Sequence, residues 1–190
     1  MKLFFTLLSF FCVGLSQAQQ KPTDLDKSPM DMSYWPNNYP LLKMSGKVKS
    51  MPIARVIYGR PLKNGRNIFG GILKYNELWR LGANETTEIE FFTNVVISGK
   101  TVPKGRYSLY CIPTETKWTI IINKDNYSWG AYTYDSKKDV LRTDIDIDKS
   151  SETTEAFTLY FDENKSGAVL QFFWDDIKGS LPMMLPAPKK

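Results

Sequence analysis

Between residues 106 and 174 the apolar side chains recur at every second position, in short runs cut by turn-forming residues. Tyr107, Leu109 and Cys111 fall on one face of a run, and Trp118, Ile120 and Ile122 on one face of the next. Phe157, Leu159 and Phe161 repeat the pattern, as do Leu170, Phe172 and Trp174. A two-residue period belongs to strands with one face on a core and one in water. Ile53–Tyr58, Thr87–Phe92, Val95–Ile97, Trp129–Tyr134, Val140–Asp148 and Leu181–Leu185 read as further strands. Ser98-Gly99-Lys100 is a tight-turn signal. About nine short strands at this spacing predict an all-β chain, a single β-sandwich of jelly-roll-like or immunoglobulin-like form. Only Ile72–Arg80 offers a helical alternative, with Ile72, Tyr75 and Trp79 near one side.

The N-terminus reads as an export signal. Met1-Lys2 supplies a positive start, Leu3–Leu15 is almost wholly apolar, and Ser16-Gln17-Ala18 provides the small residues of a cleavage site. Residues 1–18 are therefore expected to be removed. That leaves a periplasmic or extracellular protein that begins at Gln19 and has no membrane span. Cys12 lacks the small-residue setting of a lipid-attachment site. Residues 19–50 form a proline-punctuated arm that begins as a flexible lead; Met30, Met32, Tyr34, Trp35 and Tyr39 would be costly to leave in water, so its second half is expected to dock in extended form. Residues 51–186 form the β-sandwich domain, and 187–190 a basic tail.

Missing residues narrow the chemistry. The chain has no histidine and two cysteines, of which only Cys111 lies beyond the export signal. Histidine-based triads, the usual zinc ligand sets and an internal disulfide of the mature chain are thereby removed. The 25 Lys and Arg interleave with 20 Asp and Glu without a basic block, so nucleic acid is not an expected partner. No cofactor and no metal is expected. Asp144-Ile-Asp-Ile-Asp148 with Glu152 and Glu155 imitates a calcium loop, but Lys149 stands where that loop needs glycine. Strand alternation explains the same residues. Glu88 and Glu90 share a strand face at roughly 6–7 Å, near the separation of glycosidase carboxylates, although acids at i and i+2 also mark a solvated face.

Gly59–Thr87 is the long irregular stretch, with Arg60, Arg66 and Arg80 among four turn-forming glycine clusters. Irregular connections beyond about 12–15 residues are uncommon in compact domains and are often functional. Guanidiniums fork onto carboxylate or phosphate, and glycine lets backbone amides face a ligand. Arg60, Arg66 and Arg80, with Trp79 as an apolar wall and Asn84 and Glu85 beside it, are the candidate ligand-binding residues. The alternative is that these groups satisfy the loop's own carbonyls and pin it over the domain. Tyr127–Tyr134 is the second candidate. Tyr132 and Tyr134 would share a strand face as an aromatic platform, with Trp129 at its edge, or else cover the core. No residue is assigned a catalytic role.

The run RVIYGRP, GRNIFGG and LWRLGANETTEIEF, followed by GRYSLYCIP, WTIIIN, WGAY and DVLR, resembles the exported bacterial family known as domain of unknown function 2911. The resemblance spans about Ile53 to Trp174, and its most specific string is Trp79–Thr87. The SPMDMSYWPNNYP arm resembles a subset of that family. Gly59 departs from the serine expected before Arg60-Pro61. The resemblance implies an exported β-rich domain, mostly of Bacteroidota-type bacteria, and no activity.

The resulting expectation is a non-catalytic binding or envelope-associated domain that recognises a small polar or glycan-like ligand, of undetermined oligomeric state. A carboxylate-dependent carbohydrate-active enzyme and a purely structural domain are the alternatives.

Overall fold

The computed structural model describes residues 24–187. The export signal at 1–18, the start at Gln19 and residues 188–190 of the basic tail lie outside the described residues. The nine strands are β1 Met30–Trp35, β2 Ala54–Gly59, β3 Glu88–Phe91, β4 Val95–Ile97, β5 Lys100–Val102, β6 Gly105–Pro113, β7 Lys117–Asn123, β8 Asp139–Asn164 and β9 Gly167–Met184. They pair antiparallel in one sheet, in the order β1-β2-β3-β6-β7-β8-β9-β4-β5.

The chain is all-β, as the alternation requires, and the ladder is continuous: one set of pairings, β1-β2-β3-β6-β7-β8, passes into a second, β8-β9-β4-β5, through a shared strand. Strand β8 is the reason. From Asp139 to Asp146 it pairs with β7, and from Ile147 to Asn164 with β9. The sequence reads these as two strands because the polar stretch Lys149–Glu155 has no alternation. The structure carries the strand through that stretch and absorbs the mismatch as register shifts between Lys149 and Thr158. Strand β9 likewise joins Leu170–Trp174 to the expected Leu181–Leu185 strand. Ser98 and Gly99, both at positive φ, make the β4–β5 turn.

The second half of β8 crosses the edge of β1, and side chains close that seam. Arg60 Nε, Tyr58 OH and Asn37 Nδ2 donate to the carbonyls of Phe157, Leu159 and Phe161, at 3.2, 3.1 and 2.5 Å. Ser33 Oγ accepts from the Phe161 amide at 3.2 Å. Alternate carbonyls of a strand edge thus find side-chain partners where a backbone neighbour is missing.

The twelve alternating residues named first above, from Tyr107 to Trp174, are all buried. Each large apolar side chain of this kind contributes about 1.5–3 kcal/mol by leaving water. Trp79 packs among them at ring-centroid distances of 5.1 Å from Phe157, 5.8 Å from Trp174 and 5.9 Å from Trp118.

Three local expectations are corrected. The arm does not only dock: it supplies β1 and a one-and-a-half-turn helix, α1 Tyr39–Met44, with Pro40 in its first turn. Ile72–Arg80 is not helical. Asn76 sits at φ 66, and Trp79 exchanges backbone hydrogen bonds with Cys111 at 2.7 and 2.8 Å, which commits it to the edge of β6. Trp129–Tyr134 is a turn, not a strand, because Gly130 at φ 66 reverses the chain. Tyr132 and Tyr134 therefore do not share a strand face. Tyr134 packs on Tyr110 and donates to Asp139 at 2.7 Å, while Tyr132 stands in solvent.

Candidate functional site

The Gly59–Thr87 segment stays irregular but is anchored along its length. Lys63 N donates to the Glu155 carbonyl at 2.7 Å, and Phe157 N to the Pro61 carbonyl at 2.9 Å. Its last residues are clamped to the aromatic turn. Thr86 N donates to Ser128 O at 2.9 Å and Gly130 N to Asn84 O at 3.0 Å, which pairs Glu85 with Trp129. Thr86 Oγ1 adds a bond to the Gly130 carbonyl. The two stretches that the sequence singles out separately are thereby one corner of the molecule.

A cavity of about 370 Å³ opens at this corner. Ser28, Arg66, Trp79, Arg80, Asn84 and Trp174 contribute to its lining. Arg80 is partly buried, and its Nε is out of solvent with no hydrogen-bond partner among the described residues. Its Nη1 lies 3.8 Å from the point that a β-carbon on Gly130 would occupy, and the Tyr132 ring lies 2.9 Å from the same point. The guanidinium therefore sits under the aromatic turn. Trp129 and Tyr132, in the same turn, are 59% and 86% exposed.

The other candidates divide. Arg66 lines the cavity while its Nε and Nη2 hold the carbonyls of Lys63 and Leu62. Asn84, at φ 61, lines it and gives Nδ2 to Asp26 at 2.9 Å. Trp79 is only 5% exposed, so it forms the cavity wall mainly as a core residue, with Nε1 on the Gly82 carbonyl at 3.0 Å. Glu85 faces a neighbouring apolar hollow of about 290 Å³ with Met30, Ile57 and Tyr127. Arg60 is not part of the corner. It follows β2 directly, at the seam with β8, and is bound to Asp31, the Phe157 carbonyl and Thr158 Oγ1. Ser28 and Asp26 lie in the lead to β1, and nothing in their local pattern signals that the lead passes this corner. Trp174 was legible only as core.

The carboxylates behind a hydrolytic reading are otherwise engaged. Glu90 pairs with Arg55 at 2.6 Å and Arg106 at 3.5 Å, and Glu88 with Arg106 at 3.6 Å and the Tyr127 amide at 3.0 Å. They form a cross-strand charge ladder on an outer face. Asp144, Asp146 and Asp148 lie along β8 and not in a loop, and Thr119 Oγ1 donates to Asp144 at 2.7 Å. Cys111 is fully buried, and burial pushes its thiol well above the usual range. A larger cavity of about 450 Å³ lies beside Asp175, Asp176 and Lys149. Lys63 holds Asp175 and Lys149 approaches Asp176 at 3.9 Å, so two of its three carboxylates, Glu115 being the third, already face a lysine.

Fold and site together define an all-β, single-sheet domain with a cationic corner cavity beside a turn that bears exposed aromatic rings. No helix among the described residues is long and apolar enough to cross a membrane. The chain belongs to the family described as protein of unknown function (DUF2911), whose model matches residues 40–183. No curated protein and no solved structure matches it.

Proposed function

We propose that this is an exported, non-catalytic binding domain, associated with the cell envelope, that takes a small polar or glycan-like ligand in the corner cavity. The observation that carries this reading is convergence. Arg66, Trp79, Arg80 and Asn84 line one hollow, and Trp129 and Tyr132 stand beside it, although the sequence separates the two groups by some forty residues. Its volume of about 370 Å³ falls in the small-molecule range of roughly 300–1,000 Å³. Export rests on the residue 1–18 pattern, and the non-catalytic reading on the engagement of Glu88 and Glu90 with Arg55 and Arg106.

Amide chemical-shift mapping tests the reading. A panel of small sugars and sugar acids is expected to shift residues 61–66, 79–86 and 128–132 and leave β4 and β5 unmoved, with every added compound recovered intact. Shifts centred elsewhere, or turnover of a compound, would overturn it.

A further inference from the structure

The chain has six arginines. Four have acidic partners: Arg55 with Glu90, Arg60 with Asp31, Arg106 with Glu88 and Glu90, and Arg142 with Asp139. Arg66 and Arg80 have none among the described residues, and these two line the same cavity. None of the residues lining it is acidic. The carboxylate that touches the rim, Asp26, accepts through the same oxygen from Asn84 Nδ2 at 2.9 Å and from Ser28 N at 2.6 Å.

Two unmatched guanidiniums on one concave wall raise a positive potential there, because low-dielectric walls focus the field. They also leave donors free. Arg66 is fixed by two of its nitrogens and keeps Nη1 uncommitted, while the buried Nε of Arg80 meets no acceptor among the described residues. A planar fork of this kind suits a carboxylate, and bidentate pairing adds geometry as well as energy. Beyond the charge, Trp129 and Tyr132 present flat apolar faces to water, and Asn84 and Ser28 bring an amide and a hydroxyl to the rim. Rings of this kind cover the C–H face of a sugar, and the rim groups suit its hydroxyls.

We infer that the ligand of this cavity is a carboxylate-bearing saccharide of the uronic-acid class, its carboxylate on Arg66 and Arg80 and its ring against the Trp129–Tyr132 turn. This rests on the binding reading above and adds its charge and ring selectivity.

The test is titration calorimetry of the mature protein with glucuronate, glucose, acetate and inorganic phosphate, at low and at moderate salt. Glucuronate is expected to bind at least tenfold more tightly than glucose or acetate and to weaken severalfold as salt rises. Arg80→Ala and, separately, the exposed Arg66→Ala should each lose tenfold or more of that affinity. Trp129→Ala should lower glucuronate toward the level of acetate. Equal affinity for glucose would overturn the charge assignment while leaving a small-ligand pocket standing. Phosphate binding as tightly as glucuronate would overturn the saccharide assignment. Binding of none of the four, with folded protein confirmed by its amide spectrum, would overturn the inference, and the wider panel above then decides the parent reading. Should Arg80→Ala fail to fold, Arg66→Ala carries the charge test alone.

Discussion

A β-carbon on Gly59 would lie 2.2 Å from the carbonyl oxygen of Ala83. The end of β2 and the loop that carries Arg80 and Asn84 are therefore in backbone contact, and the serine that the family resemblance suggests here has no room. Gly59→Ala must push two main chains apart. We expect a loss of about 1–3 kcal/mol in urea unfolding, with the same midpoint seen by far-UV and tryptophan signals. An unchanged midpoint would mean the contact is not this close.

Arg60 and Arg80 should respond oppositely to truncation. Arg60→Ala removes three bonds across the β1–β8 seam and leaves the Phe157 carbonyl without its side-chain partner, so about 1–3 kcal/mol of stability should go. Arg80→Ala breaks no bond of its guanidinium and should change the ligand-free melting point little while abolishing ligand-dependent stabilisation. Comparable melting losses in the two variants would return Arg80 to a purely structural role.

Asp26 should oppose anion binding. It bonds to Asn84 and so brings a negative charge to the rim. Asp26→Ala is expected to tighten glucuronate by about two- to fivefold, the scale of an exposed pair worth up to ~1 kcal/mol. Weaker binding would show that Asp26 instead holds Asn84 in its working position.

Alkaline pH gives a fourth check. Burial, chiefly, pushes the Tyr58 phenol up to about 12, and burial together with its bond to Asp139 does the same to Tyr134. Raised acids hold their protons longer in the folded state than in the unfolded chain. Their contribution is thus complete below the ordinary value near 10 and is lost as pH rises toward 12. Stability should fall across that interval, with part of the phenolate absorbance delayed beyond pH 11. Tyr58→Phe, which also gives up a bond to Leu159, should flatten the fall.

How much of this was legible depended on whether the signal was local. Alternation is a property of adjacent residues, and it located the buried face of four runs correctly, from Tyr107 to Trp174. It failed where a strand passes through polar sequence, as β8 does between Lys149 and Glu155, because pairing partners far along the chain supply what the local pattern lacks. It also failed at Trp129–Tyr134. Aromatic residues favour strands, yet one glycine at positive φ outweighed that preference. The candidate site was legible as two stretches, since arginine, glycine and exposed aromatics are unusual in their own right. Their meeting was not, because it rests on the backbone bonds of Asn84 and Thr86 to Ser128 and Gly130. The placing of Arg60 away from this corner was hidden for the same reason: its partners Asp31, Phe157 and Thr158 lie in β1 and β8.

Because one strand serves β7 with its first half and β9 with its second, neither half of the sheet owns a complete set of neighbours. Melting either half strips an edge from the other. The two halves share that strand, so the described domain should unfold in a single cooperative event, and a cut between Ser150 and Thr153 should cost it both halves at once.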